Sequence, residues 1–515
     1  MKRRWARRLA ALAASTALCA LYATVRAPWQ WLGWFALVPW LLELDAAEDT
    51  RTTLTDAWLF SVAFATAALW WLPGAVHDYT SAPLAACWAL LLLFAPLLEP
   101  QFLVFAAARR FAGRAAGVLA FLAAEWLLPR LVPDTLGFGL YPSGDIRQVA
   151  DLGGVPLLTL LVLSTNEAIA FALRARARER RLRAAALTAG ACAAAVLLPA
   201  LYGHLRRAQL AAASTSGPTL VAGLVQTNLT HYGVLAEREG TYAATVHILE
   251  AHRALSQRLA TSAPLDLLVW PETAYPTTFG APQSPEGAEL DAVIESLATD
   301  LSVPLFFGTY DRDDGHEYNA AVLLAPGGAR LGTYRKARLF PLTERVPPLL
   351  EPARRFLPWM GTWTEGPGAA VLHVPLRAGG SAAVAPLICY DALDASLAAA
   401  GRRLGAQAFL TLSNDAWFSG TPAARLHLIA AAFRSIETRL PQGRATPSGL
   451  TASISSAGDL LLEADPDRPG GVIAELALSP PDAPLPLAAR WGPWLGPVSL
   501  LGAVAAVAAR RLRRR

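Results

Sequence analysis

The sequence predicts a membrane helical bundle of about eight spans carrying one α/β domain, and three observations predict it. Of the 515 residues, 54% are hydrophobic and only 17% are charged, with a mean hydropathy of +0.34. Ordinary soluble domains carry about 25% charged residues, so neither a single soluble globule nor a disordered chain fits. Apolar runs long enough for a bilayer recur before residue 205 and once near the C-terminus. Between them the apolar runs shrink to strand length and alternate with helical stretches, the pattern of an α/β domain.

The expected spans are Leu9–Thr24, Trp29–Leu44, Ala57–Val76, Leu84–Ala107, Ala115–Leu131, Val155–Leu173, Ala184–Tyr202 and Trp494–Ala509. The first, second and fifth are short or weakly separated. Met1–Arg8 followed by a short apolar run also fits a signal peptide. The absence of a clean small-x-small cleavage site before Arg26 favours a retained anchor. Orientation follows from basic residues in short loops. Lys2, Arg3, Arg4, Arg7 and Arg8, then Arg109, Arg110 and Arg114, then Arg174–Arg183, then the Arg510–Arg515 tail fall on one side, the cytoplasm. The acidic loop Glu43–Thr50 is the exception. Topology accounts for these clusters without nucleic acid. The expected organisation is a transmembrane region of seven helices at 1–205, an extracytoplasmic domain at 206–490, and a last helix with a basic cytoplasmic tail at 491–515. The outward loop Val132–Gly154 is long enough to be either a connector or a segment dipping into the bilayer surface.

In the middle segment, short apolar runs bounded by Gly, Pro, Asn and Asp read as strands. They are Thr219–Gln226, Leu267–Trp270, Leu305–Tyr310, Ala320–Ala325, Ala370–Val374, Ala382–Ile388, Phe409–Ser413, Leu450–Ile454 and Val472–Leu476. Helices are expected at Thr241–Ala260, Glu286–Leu301, Ala392–Leu404 and Thr421–Thr438. Three strand ends run straight into polar residues: Pro271-Glu272, Cys389-Tyr390-Asp391 and Asn414-Asp415-Ala416-Trp417. Active sites of α/β folds gather at such ends.

Scarcity singles out two residues. Lys occurs only at Lys2 and Lys336; every other basic residue is Arg, including Arg338 close by. A lysine kept where arginine is the rule suits a compact point charge beside an oxyanion, although one surviving surface lysine is the plainer account. Of the four cysteines, Cys19, Cys87 and Cys192 fall in expected spans, leaving Cys389 without a disulfide partner in its domain. It is either an inert buried thiol or a nucleophile. Glu272 alone reads as a solvated loop acid. Together, a carboxylate to take the thiol proton and an ammonium to stabilise thiolate and oxyanion make a coherent set.

These residues resemble the nitrilase superfamily of carbon–nitrogen hydrolases, whose triad runs Glu, Lys, Cys. The motifs are Trp270-Pro271-Glu272-Thr273, Tyr334-Arg335-Lys336 and Ile388-Cys389-Tyr390-Asp391. With spans on both sides, the whole chain resembles the apolipoprotein N-acyltransferase family. Further matches are Val225-Gln226-Thr227-Asn228, Glu344-Arg345-Val346-Pro347 and Ser413-Asn414-Asp415-Ala416-Trp417-Phe418. The resemblance implies a nitrilase-like αββα sandwich on the periplasmic face of the bacterial inner membrane. It implies acyl transfer from a phospholipid, usually phosphatidylethanolamine, through a Cys389 thioester to the α-amino group of a diacylglyceryl-Cys at an apolipoprotein N-terminus. Glu272 is then the base, and Lys336 with backbone N–H groups near Tyr390 stabilises the oxyanion. Glu344 positions both, and Tyr390, Asn414 and Trp417 support the site. No cofactor or metal is implied.

Several positions depart from the family pattern: Asp391 for a usual Glu, Arg338 for a usual His, Pro341-Leu342-Thr343-Glu344, Arg444-Ala445-Thr446-Pro447-Ser448-Gly449, and Leu235 where a Trp is usual. They leave a membrane-tethered amidase or nitrilase, or a divergent paralogue acylating another amine, as alternatives. A decayed non-catalytic member is disfavoured by the intact triad. A transporter is disfavoured by the scarcity of intramembrane charge, with Glu99 and Glu125 the main candidates. The histidines show no zinc-ligand spacing.

Overall fold

The computed structural model describes residues 2–128, 135–175, 178–214, 217–229, 232–355, 360–416 and 420–513. The chain divides into two compact units, Met1–Ala208 with Pro493–Arg515, and Gln209–Gly492.

The first unit is helical. Among the described residues, four helical stretches are long and apolar enough to cross a membrane: Leu84–Ala112, Val155–Arg174, Leu182–Ala213 and Leu495–Leu512. A fifth results if Thr50–Ala68 and Leu72–Thr80, bent by 64° at their junction, count as one broken span. The expected span Trp29–Leu44 is not a continuous helix. A 3₁₀ turn at Trp29–Trp34 is followed by a separate nine-residue helix, Val38–Ala46. Pro39 lies in the first turn of that helix, where its missing N–H costs nothing, so it starts a helix rather than continuing one. Trp40 then becomes the centre of an aromatic core, stacked on Phe60 at 4.4 Å and edge-on to Phe102 at 5.9 Å. The expected first span, Leu9–Thr24, is helical as far as Tyr22, in the helix Lys2–Tyr22, and the expected fifth becomes Arg114–Leu127. Residues 129–134, where the outward loop begins, lie outside the description; beyond them come 3₁₀ turns at Leu136–Leu140 and Ile146–Val149.

The acidic loop that broke the basic pattern has a physical explanation. Its carboxylates are the counter-ions of the basic clusters. Glu48 pairs with Arg4 at 2.9 Å, Glu43 with Arg7 at 2.9 Å, and Asp45 with Arg109 at 2.8 Å and Arg114 at 2.6 Å. Arg174 donates to the Leu42 carbonyl and Arg110 to those of Ala47 and Glu48. Basic groups from three separate stretches of sequence thus collect around one loop.

Among its described residues the second unit has twelve strands: β1 Thr219–Gln226, β2 Leu267–Val269, β3 Leu305–Asp313, β4 His316–Leu324, β5 Arg330–Arg335, β6 Leu372–Pro375, β7 Ser381–Ile388, β8 Ala408–Leu412, β9 Gln442–Ala445, β10 Ala452–Ile454, β11 Leu460–Glu463 and β12 Gly470–Ala477. They form two six-stranded sheets, ordered β12-β1-β2-β3-β4-β5 and β11-β10-β9-β8-β7-β6. Each has a parallel centre, β1-β2-β3 or β7-β8-β9, extended by antiparallel neighbours. Strand alternation sends Leu220, Ala222, Leu224, Phe306, Ile388, Leu410 and Leu412 into one buried layer between the sheets. The opposite faces are covered by helices. Thr241–Ser262 and Pro285–Leu301 cover the first sheet, where Leu249 and Ile294 pack on Leu268 and Phe307. Ala395–Arg403 and Pro422–Thr438 cover the second, where Leu397 and Ala431 pack on Leu387 and Phe409. The result is a four-layer αββα sandwich.

Three strands, β5, β9 and β11, were not expected. Their sequences, Arg-Leu-Gly-Thr-Tyr-Arg, Gln-Gly-Arg-Ala and Leu-Leu-Leu-Glu, are too polar or too short to give an apolar run. β9 is nevertheless wholly buried, because Gln442 and Arg444 find partners in Thr411 and Asp415.

Candidate active site

Glu272, Lys336 and Cys389 each stand just past a strand end, after β2, β5 and β7. The fold brings the first two into contact. Lys336 Nζ donates to Glu272 Oε1 at 3.0 Å and to Glu344 Oε1 at 2.8 Å. Both Lys336 and Glu272 are buried. Burial alone works against the ammonium, but Glu272 and Glu344 hold its pKa well above the ordinary lysine value. Lys336 is therefore a fixed cation. A second donor shares the same oxygens: Asn319 Nδ2, on β4, reaches Glu272 Oε1 at 2.8 Å and Glu344 Oε1 at 3.2 Å. The Asn319 carbonyl also accepts the Lys336 N–H, locking β4 and the Lys336 loop in register. The loop carrying Glu272 lies so close to β3 that a Cβ at Gly308 would meet the Pro271 carbonyl oxygen at 2.5 Å. Only glycine fits there.

Cys389 opens a short 3₁₀ turn and holds a backbone φ of +49°, the left-handed region that costs a non-glycine residue about 1–2 kcal/mol. Burial, then Glu272, pushes its thiol well above the usual value, and Lys336 opposes this. The resting group is thus a thiol rather than a thiolate, and any nucleophilic use of it needs a base in the same step.

Asp391, the residue one methylene shorter than the family's usual Glu, ties the two loops together. Its Oδ1 accepts the N–H groups of Ala337 at 3.2 Å and Arg338 at 2.7 Å, on the lysine loop. Its Oδ2 accepts Ile388 N–H at 3.0 Å, just before the cysteine, and the Tyr334 hydroxyl at 2.9 Å. Burial raises its carboxyl to about 7 although these donors favour the charged form.

The remaining expected residues are placed as follows. Glu344 joins the Lys336 network, and its Oε2 accepts Phe340 N–H at 2.7 Å. Tyr390 packs edge-on against Phe340 at 5.2 Å. Asn414 caps its own turn, accepting Ala416 N–H at 3.1 Å. Trp417 lies outside the described residues. Among the departures, Arg338 forms an ion pair with Asp394, and the Pro447 carbonyl accepts Asn228 N–H at 2.6 Å. Sequence reasoning missed Asn319, a lone polar residue opening the apolar run of β4. It also missed the buried group Asp415, His427 and Arg444, whose members share no local motif.

A family model described as carbon–nitrogen hydrolase matches residues 220–480, which contain all of these groups. The chain belongs to the carbon–nitrogen hydrolase family. A second model, the apolipoprotein N-acyltransferase N-terminal domain, matches residues 15–168. Two curated relatives carry the name apolipoprotein N-acyltransferase. One, from Caulobacter vibrioides, is 29% identical over 84% of this chain and 81% of its own length. The other, from Bdellovibrio bacteriovorus, is 27% identical over 91% of this chain and 87% of its own. A carbon–nitrogen hydrolase structure from Helicobacter pylori is similar over 50% of this chain and 89% of its own, at 18% identity and a TM-score of 0.38. The helical unit, with its apolar spans and the N-terminal match, makes this a membrane protein of the family.

Proposed function

We propose that this chain is an N-acyltransferase that moves an acyl chain from a membrane phospholipid to the N-terminal diacylglyceryl-Cys of an apolipoprotein. The observation that carries the reading is the Lys336 ammonium clamped by Glu272 and Glu344 in the field of a strained Cys389, in a chain that also has membrane-spanning helices. The names of its relatives point to N-acylation of an apolipoprotein.

In the first half-reaction the Cys389 sulfur attacks the acyl ester carbon while Glu272 takes the thiol proton. The carbonyl π electrons move onto oxygen, and Lys336 stabilises that oxyanion. Collapse breaks the ester C–O bond. The lysophospholipid oxygen leaves with the proton held by Glu272, and a thioester remains. In the second, the acceptor amine attacks the thioester carbon and passes a proton to Glu272. An amide forms, the C–S bond breaks, and the thiol is restored. Asn319 and Glu344 keep Glu272 and Lys336 at hydrogen-bonding distance through both steps. The donor is phosphatidylethanolamine. The spans at 1–205 and 491–515 hold the protein in the bacterial inner membrane, with the 206–490 domain on the periplasmic side.

The test uses purified full-length protein in detergent with acyl-labelled phosphatidylethanolamine. A hydroxylamine-sensitive adduct that forms in wild type and not in Cys389→Ala is expected, and its absence in wild type rejects the thioester. A diacylated lipopeptide should then take the label on its amine. Release of the label as free fatty acid instead would make the protein a hydrolase.

A further inference from the structure

The left-handed conformation of Cys389 persists only if its surroundings hold it, and they do so from both sides. Before it, Ile388 N–H is tied to Asp391. After it, the Cys389 carbonyl oxygen lies 3.1 Å from His427 Nε2, on the buried helix Pro422–Thr438. A carbonyl oxygen can only accept, so Nε2 carries the proton. The other ring nitrogen is seated in a dry ionic nest. His427 Nδ1 is 3.0 Å from Asp415 Oδ1 and 3.2 Å from Arg444 Nη2. Arg444 Nη2 lies 2.9 Å from each oxygen of Asp415. Asp415 and Arg444 are fully buried, and His427 nearly so. Burial disfavours the Asp415 carboxylate, but Arg444 and His427 more than offset it and hold the acid well below the usual range. Gly449, at a φ of +126°, closes over Asp415, where any Cβ would lie 2.7 Å from its side chain.

We infer that Asp415, His427 and Arg444 form a positioning relay that aims the backbone N–H of Tyr390 at the oxyanion of the acyl-transfer step. The argument is geometric and rests on the thioester reading above. The Cys389 carbonyl and the Tyr390 N–H belong to one planar trans peptide and point to opposite sides of it. A histidine that fixes the carbonyl direction therefore also fixes the N–H direction. An oxyanion donor acts only if it is set before the reaction, since reorientation during the step costs the stabilisation it would give. His427 touches no reacting atom. Its role is to hold a donor that does, and Asp415 with Arg444 holds the tilt of its ring.

This role has a signature that a purely structural one lacks. Alkylation of Cys389 by iodoacetamide displaces iodide without forming an oxyanion. Acylation by phospholipid forms one. In full-length protein, His427→Leu should slow adduct formation from labelled phospholipid by about 10²–10³-fold. The KM for phospholipid and the rate of iodoacetamide alkylation should stay within a few-fold of wild type. His427→Gln, whose amide can donate to the same carbonyl, should fall between the two. If His427→Leu does not fold, Asp415→Asn carries the test, because it keeps the imidazole and removes its seat. Slowed acylation with unchanged alkylation is expected there too. Wild-type acylation rates in the folded variants, or a parallel loss of alkylation, overturn the relay while leaving the thioester intact. Absence of the adduct in wild type removes the parent reading and the relay with it.

Discussion

Two buried ionic networks, one in each unit, use charge in opposite ways. In the helical unit, Arg109 and Arg114 both bind Glu167 and Asp45, and Arg174 lies 3.8 Å from Asp45, so three cations surround two anions. Arg109 grips Glu167 through both Nε and Nη2, the fork geometry that suits arginine to a fixed bridge. In the α/β unit, one lysine sits between two carboxylates, and a neutral amide, Asn319, shares their oxygens. That site is short of one positive charge. In the first network each carboxylate is held between arginines. The second keeps a carboxylate able to receive a proton next to a point charge able to face an oxyanion. The single internal lysine of an arginine-rich chain is found in the network that chemistry needs.

Changing members of the two networks should separate these roles. The largest effect is expected at Glu272. Glu272→Gln keeps the shape and removes the base, so thioester formation should fall by about 10²–10⁴-fold while the melting temperature moves little. A variant that still acylates at the wild-type rate would remove Glu272 from the mechanism. Next comes Glu167→Gln, which leaves Arg109 and Arg114 short of a counter-ion. A loss of about 3–5 kcal/mol, read by thermal melting in detergent, is expected. The rate of adduct formation per folded molecule should be unchanged, and a specific loss of rate would break the division drawn here. Lys336→Arg tests whether charge alone suffices. Acylation should drop by about 10²–10³-fold, because the planar guanidinium cannot meet Glu272, Glu344 and the oxyanion from one point.

A subtler measurement concerns Asp391, whose carboxyl is raised from 3.8 to about 7 by burial. Because the folded value is the higher one, its contribution to stability is full below 3.8 and is lost as pH rises through about 7. The stability difference between wild type and Asp391→Asn should therefore shrink across that window and be flat outside it, as followed by urea midpoints. A flat difference throughout would mean that the four donors around Asp391 balance its burial, leaving no net shift. The smallest effect is expected at the exposed pair Arg425 and Glu463. Arg425→Ala should cost about 1 kcal/mol or less. A larger loss would show that exposed pairs contribute more here than the buried ones suggest.

Legibility in the sequence followed the physics of each feature. The central strands were visible because each buries a continuous apolar run, as β1 does from Thr219 to Gln226. β9 was invisible because its buried Gln442 and Arg444 are paid for by partners far along the chain. The span expected at Trp29–Leu44 failed for a related reason. Composition marked it apolar, but Pro39 and the aromatic core around Trp40 decided that it folds as short pieces. Cys389, Lys336 and Glu272 could be picked out by scarcity and by their place at strand ends. Asn319 and His427 could not, since neither stands beside its partner in sequence.

The sequence by itself determined the class of molecule, a membrane helical region with one α/β domain, and it singled out Cys389, Lys336 and Glu272, the residues proposed here as nucleophile, cation and base. Those are set by residue type and local pattern, which need no knowledge of distant neighbours. Tertiary structure alone decided which groups meet. It placed Asn319 on the same Glu272 and Glu344 oxygens as Lys336, and made Asp391 the tie between two loops. It also carried Asp415 and Arg444 beneath a histidine that holds the Cys389 carbonyl. These contacts join residues from different strands and sheets. Their energies depend on burial and distance, which exist only once the two sheets have packed.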